Sequence, residues 1–224
     1  MKLFSSVPSP FAGRVRLAIY AKSLPVEVAP ADMWLPGGGK SAAYLAINPM
    51  GKIPALVLDN GVVIAESDTI VEFLADAFPQ AGLRPSDPVD CATARLLARI
   101  SDLYVVVPGS RLVGYLDPAR RDARGVDRAV AELDTGLGWL DARLTEDPYA
   151  VGEAVTLADC ALVPHLFFFA ALVGRGLAGR DLIGAHPRLA AYWTRIQADP
   201  AAARLLAEMR GGLAGTPFGA LIAD

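Results

Sequence analysis

Apolar and polar positions follow two different periods along this chain, and the change falls near residue 78. Before it, Lys2 to Ser5 reads as a strand, Phe11 to Ser23 as a helix and Val26 to Ala29 as a second strand. A glycine-rich, irregular stretch comes next. Then Ala55 to Leu58 and Val62 to Ile64 flank Asn60-Gly61, a dipeptide that favours the tight turn of a hairpin, and a helix completes this part. From Val89 onward no strand pattern competes, and helical period dominates through Arg210. The segment PQAGLRPSDP, Pro79 to Pro88, combines prolines with a lack of periodicity and reads as a linker. The expected organisation is an α/β domain over residues 1–78, the linker over 79–88 and an all-α domain over 89–224.

Within the helical part, ALVPHLFFFAALV, from Ala161 to Val173, is the most apolar run. It falls short of the ~20 residues a membrane span needs, so it reads as a buried helix and no membrane is expected as a partner. Just ahead of it, Thr156-Leu-Ala-Asp159 has the spacing of a capping box. Each of these two side chains is expected to contribute about 0.5–2 kcal/mol to folding and nothing to chemistry.

Composition narrows the function classes. The chain has 224 residues and a formal charge of −3, enough length for a real core and no basic footprint for nucleic acid. Met1-Lys2 leads at once into the first strand, without the basic-then-apolar pattern of a secretory leader. Two cysteines, Cys91 and Cys160, have neither metal nor redox spacing, so a reduced, cytoplasmic protein without a metal is expected. Cys160 lies in an apolar helical pattern and reads as a packed core thiol.

The chemistry concentrates in the first third. Serine is favoured at the N-cap of a helix and proline at its first turn, so Ser9-Pro10 marks a helix start whose positive dipole end is open. A serine hydroxyl there can donate to a bound thiolate, and a hydrogen bond to a charged group is worth roughly 1.5–3 kcal/mol. With about 0.3–1 kcal/mol from the dipole, or ~2 if partly buried, a thiol pKa would fall by roughly one to three units. That suffices to populate a nucleophile near neutrality.

Ser9-Pro10-Phe11 followed by RVRLA, together with NPMGKIPAL (Asn48 to Leu56), AESDTI (Ala65 to Ile70) and GEAVTLADCAL (Gly152 to Leu162), resembles the soluble glutathione transferases of the serine type. Plant tau-class enzymes share the Ser-Pro-Phe, the zeta class shares Arg-Val-Arg after its own serine, and the later motifs are similar to bacterial members. The resemblance implies a thioredoxin-like domain followed by the helical one, glutathione as co-substrate and a two-fold homodimer. It also implies roles for single residues. Ser9 would hold the glutathione sulfur as thiolate, and Lys40 would face the glycyl carboxylate. Ile53, ahead of a cis Pro54, would pair its backbone with the cysteinyl unit like an added strand. Glu66 would take the γ-glutamyl ammonium and Ser67 the carboxylate. Phe11 and Tyr104 or Arg111 would flank the second substrate, a small hydrophobic electrophile.

The implied reaction is attack of the thiolate on an electrophilic carbon to give a thioether. Serine at position 9 favours this over thiol–disulfide exchange, for which relatives carry a cysteine. Two alternatives stand beside it. One is a zeta-like isomerase, in which the thiolate adds to a conjugated double bond and later leaves, although the Ser-Ser-Cys motif of that class is replaced here by Val7-Pro8-Ser9-Pro10. The other is a non-catalytic interaction protein that keeps the fold.

Three further readings are set aside or left structural. Gly37-Gly38-Gly39-Lys40-Ser41 lacks the glycine spacing of a phosphate loop. No nucleophile-elbow pattern surrounds Ser9, His165 reads as a satisfied core residue and His186 as a loop residue. Arg14 and Arg16 read as ion-pairing residues that fix the two domains, with a contribution to the positive potential around the thiolate as the alternative.

Overall fold

The computed structural model describes residues 1–31, 41–214, 216 and 218–222. The first part comprises β1 (Lys2–Ser5), α1 (Pro10–Lys22), β2 (Glu27–Pro30), α2 (Ala42–Ile47), β3 (Ala55–Val57), β4 (Val63–Ala65) and α3 (Ser67–Ala77). The strands form one mixed sheet in the order β2-β1-β3-β4, with β2 parallel to β1 and the other two pairings antiparallel. Leu3 and Leu56 stand opposite each other across β1 and β3 and are fully buried. The turn between β3 and β4 is the Asn60-Gly61 turn, with Gly61 at φ +84° and the Asn60 carboxamide accepting from the Val62 N–H at 3.1 Å. This is a thioredoxin-like domain, and an all-helical domain succeeds it.

Helix α2 has no counterpart in the periodicity of the sequence. It is six residues long, too short for periodicity to register, and its start is set by Ser41, whose hydroxyl accepts from the Tyr44 N–H at 3.2 Å. This helix anchors the chain that leads into β3: the Tyr44 hydroxyl and the Asn48 carboxamide both donate to the Lys52 carbonyl at 2.6 Å, fixing the backbone just before Ile53.

The helical part is built on two long rods. In the first, α4 (Pro88–Ile100) runs through a π-helical stretch, Ser101–Val106, into α5 (Val107–Tyr115). α6 (Ala123–Asp141) comes next. In the second rod, α7 (Leu157–His165) passes through a longer π stretch, Leu166–Gly174, into α8 (Arg175–Ala178). α9 (Pro187–Ile196) and α10 (Pro200–Leu213) complete this part. Each π stretch lies beside a proline inside a rod, Pro108 or Pro164. Proline has no N–H and its ring crowds the carbonyl four residues back, and a locally wider turn relieves both problems. Pro108 leaves the Tyr104 carbonyl without its helical donor, and Gly136 of α6 packs directly on that carbonyl, where a Cβ would collide.

The second rod, Leu157–Ala178, spans 22 residues and is long and apolar enough to cross a membrane, but 94% of its most apolar window is buried inside the protein. The helix extends beyond the apolar run at both ends and serves as the core. α1 packs against this rod, against α3 and against α10. Nearly every face of α1 is covered, including Arg14 and Arg16 at 2% exposure each.

The capping box at Thr156 and Asp159 is present, but Asp159 does more than cap. Its carboxylate, fully buried, accepts from the N–H groups of Ala150 and Thr156 at 2.9 Å and from the hydroxyls of Thr156 and Tyr192 at 3.1 Å. Burial pushes its carboxyl above the usual range, against the pull of these donors. The contribution expected from capping alone is therefore too small. Because removal strands several buried donors at once, Asp159→Ala should cost on the order of 3 kcal/mol or more in chemical denaturation, and Thr156→Ala only about 1.

Candidate active site at the end of the sheet

Register brings the predicted residues to one end of the sheet. Ala55 pairs with Phe4 on one side and with Ala65 on the other, so the chain leaving β1 at Ser5, the Ile53-Pro54 segment entering β3 and the Glu66-Ser67 segment leaving β4 all converge there. The N-termini of α1 and α3 open at the same end, with their positive dipole ends toward it. The Ile53-Pro54 bond is cis. Glu66 takes φ +67°, a left-handed conformation that costs a non-glycine residue roughly 1–3 kcal/mol, and strain of this kind gathers at functional positions. Its side chain is exposed, while Ser67 is buried. Lys40 lies outside the described residues.

Ser9 caps α1. Its Oγ accepts from the Ala12 N–H at 3.2 Å, which leaves the hydroxyl proton free to donate elsewhere, and its own N–H is held by the Ser6 carbonyl at 3.2 Å. It opens on a cavity of about 430 Å³, a volume suited to a small ligand. Ser6, Ser9 and Ile53 form the sheet side of that cavity. The opposite wall is aromatic: Phe11, Phe168, Phe169 and Phe218. Phe168 packs edge-on against Phe169 at 5.1 Å and against Phe218 at 5.3 Å, an arrangement that adds stability beyond area burial. Ser110 and Val113 of α5 and Leu213 of α10 close the remainder, and among the described lining residues none is charged.

Phe11 lines this cavity, but Tyr104 and Arg111 do not. They line a different hollow, with Trp139 4.6 Å from the Tyr104 ring and an Arg111–Glu132 ion pair across it. The first rod presents Ser110 and Val113 to the cavity instead, while Tyr104 and Arg111 lie on the face that meets α6.

Behind Phe11 lies a cluster that sequence reasoning missed. His165 packs on Phe11 with ring centroids 5.6 Å apart, and its Nδ1 is 2.9 Å from the Ser101 Oγ. Both side chains are fully buried. Burial first, and then the charge of Arg14, hold the imidazole well below its usual pKa and so neutral. Its Nε2 has no partner among the described residues, so within them His165 is only half satisfied. Arg14 reaches Asp102 at 2.7 Å and Asp68 at 3.5 Å, and burial pushes the Asp102 carboxyl up against the pull of Arg14. Ser101 and His165 are 64 residues apart, and no local pattern links them. Cys91 and Cys160 are free and buried, and burial drives the Cys160 thiol far upward, which makes it inert. Among the described residues no cluster could hold a metal.

Comparison with known proteins adds to this geometry. Residues 8–77 match the family model described as the glutathione S-transferase N-terminal domain, and residues 123–195 match that of the C-terminal domain. A protein named maleylacetoacetate isomerase from Pseudomonas aeruginosa is 32% identical over 197 residues, 84% of this chain and 92% of that protein. A probable glutathione S-transferase of Oryza sativa subsp. japonica is 32% identical over 209 residues, 90% of this chain and 86% of that one. Among solved structures, a glutathione S-transferase from Methylobacterium radiotolerans in complex with glutathione sulfonate superposes with a TM-score of 0.76 at 27% identity, covering 92% of this chain and 93% of its own.

The aromatic wall can be tested directly. A Cβ at Gly109 would lie 2.6 Å from Phe169, so Gly109→Ala should push that ring into the cavity. Binding of an apolar fluorescent probe should weaken and the protein should lose about 1–3 kcal/mol of stability, the usual cost of overpacking. Gly114→Ala on the same helix, with nothing within 4 Å, should leave probe binding unchanged.

Proposed function

Since the chain belongs to the glutathione S-transferase family, we propose that it binds glutathione at the end of the sheet and adds its thiolate to an electrophilic carbon of a substrate held in the aromatic cavity. The observation that carries this reading is Ser9: it caps α1 through its oxygen, keeps its proton to donate and faces the cavity. In this serine-type site the Ile53 backbone, ahead of Pro54, pairs with the cysteinyl unit. Glu66 and Ser67 take the γ-glutamyl end, and Lys40 takes the glycyl carboxylate. Phe11 lines the second-substrate side, and Ser110 and Val113 replace Tyr104 and Arg111 there. Residues 1–78 then form the glutathione-binding domain, 79–88 the linker and 89–224 the domain that supplies the electrophile pocket. Two free, buried cysteines suit a reduced cytoplasmic setting.

After addition, the adduct has two possible fates. The relative from Pseudomonas aeruginosa, named an isomerase, weighs toward expulsion of the thiolate: addition to a conjugated double bond, rotation about the resulting single bond, then release. This needs no catalytic part that conjugation lacks, and it is the outcome the comparisons favour. The uncharged cavity lining weighs toward a neutral substrate, and with a leaving group on that substrate the same addition ends as a stable thioether. The neutral Ser101–His165 pair, separated from the cavity by Phe11, supports the wall and is not assigned the proton transfers.

Exposed apolar residues on the first rod support a homodimer. Val89 and Leu96 of α4, Leu103 of the π stretch and Val107 of α5 are exposed along this rod, with exposed Tyr104 and Trp139 beside them, the kind of face a second copy covers.

Ser9→Ala removes a charge-assisted hydrogen bond of roughly 1.5–3 kcal/mol, so kcat/KM with glutathione should fall about 10- to 150-fold. Chromatography of the products from a neutral cis-enone and from an activated aryl halide identifies the outcome: trans-enone with glutathione recovered for isomerisation, a thioether for conjugation. Full activity in Ser9→Ala would remove Ser9 from the mechanism, and absence of glutathione binding in the native protein would favour a non-catalytic interaction protein.

A further inference from the structure

The loop that delivers Ser9 is held by a residue deep in α1 and by the last helix. Arg16 is 2% exposed, and its Nη2 donates to the Val7 carbonyl at 2.5 Å while Nη1 donates to Glu208 of α10 at 2.7 Å. Glu208 is fixed in turn. Its Oε2 also accepts from the Tyr20 hydroxyl at 2.8 Å, its Oε1 accepts from Arg204 at 3.0 Å, and the Arg204 guanidinium lies 3.8 Å over the Tyr20 ring. One turn further along α10, Gly212 packs so closely on the loop that a Cβ would lie 2.8 Å from Val7 and 3.1 Å from Pro8. Its neighbour Leu213 lines the cavity itself.

We infer that Arg16 and Glu208 are a positioning pair for Ser9: through the Val7 carbonyl they lock the Val7-Pro8-Ser9 turn against α10, and the last helix thereby sets where the Ser9 hydroxyl meets the thiol. Arg16 suits this task because a planar guanidinium bridges a carbonyl and a carboxylate at once, which the single ammonium of lysine cannot reproduce. Neither residue touches substrate. Their effect passes through the backbone, and small displacements of a catalytic group are costly: a shift of ~1 Å can reduce rate about 100-fold.

The inference rests on the assignment of Ser9 above, and the experiment separates the two. The pH profile of kcat/KM is measured for the native protein as purified and for Ser9→Ala, Glu208→Ala, Glu208→Gln, Arg16→Lys and Gly212→Ala, with thermal melting alongside. Removing a nearby carboxylate acts on a thiolate by charge alone to lower its apparent pKa; displacing the Ser9 hydroxyl raises it. The expected result is an upward shift in Glu208→Ala, Arg16→Lys and Gly212→Ala, with kcat reduced ~10-fold or more, and a native or slightly lowered pKa with near-native kcat in Glu208→Gln, which keeps an acceptor for Arg16 but loses the charge. Arg84→Ala breaks ion pairs with Glu72 and Asp76 without touching the loop, and should lower the melting temperature while leaving the profile in place. A native profile insensitive to Ser9→Ala would defeat the Ser9 assignment. A profile that moves in Ser9→Ala but stays put, or moves downward, in Glu208→Ala and Gly212→Ala would overturn the positioning role alone.

Discussion

Helix α1 carries two arginines into the interior, and the arrangement of both domains depends on the carboxylates that meet them. An isolated charge in such surroundings would be prohibitively costly, and removal of one partner from a buried pair typically destabilises by about 3–5 kcal/mol. Arg14 is met by Asp68 at the start of α3 and by Asp102 on the first helical rod, and Arg16 by Glu208 on the last helix. Three carboxylates from three elements therefore fix one helix. The pairs with Asp102 and Glu208 join the first part to the helical one, as the sequence reading of these arginines expected, while that with Asp68 lies within the first part; and since Ser9 caps α1, whatever fixes α1 also fixes the candidate catalytic hydroxyl.

The site is assembled by the same constraint. A sheet end, two helix N-termini and a turn pinned by Tyr44 and Asn48 supply polar groups on one side, while the second rod, too apolar to face water, supplies an aromatic wall on the other. A thiolate placed between them would be stabilised from the polar side and kept from water by the apolar one. The hydroxyl and the dipole ends on the polar side act against the desolvation that the apolar wall would impose on such a charge. The buried Ser101–His165 pair shows how closely polar and apolar requirements are interleaved: the half-satisfied imidazole is tolerated because it is neutral and because Phe11 and Phe169 pack on it.

The features legible in the sequence are local ones. The Asn60-Gly61 hairpin, the serine cap of α1 and the capping box at Thr156 depend on neighbours a few residues away, and each is found within a residue or two of its expected position. The relation between the cavity and the first rod was not legible, because Tyr104 and Arg111 were carried over from the layout of the family and no local pattern in the sequence says which face of that rod meets the cavity. Partners far apart in sequence left no signal at all. Arg16 and Glu208 are 192 residues apart, and the several donors that gather on Asp159 are not implied by its capping motif.

The most direct measurement is the ultraviolet absorbance of the thiolate of bound glutathione titrated against pH, in the native protein and in Ser9→Ala. An activated site predicts a bound-thiol pKa well below that of free glutathione, returning upward when the hydroxyl is removed. Identical titration in the two proteins would contradict the account, because the Ser9 hydroxyl would then contribute nothing to the charge it is positioned to hold.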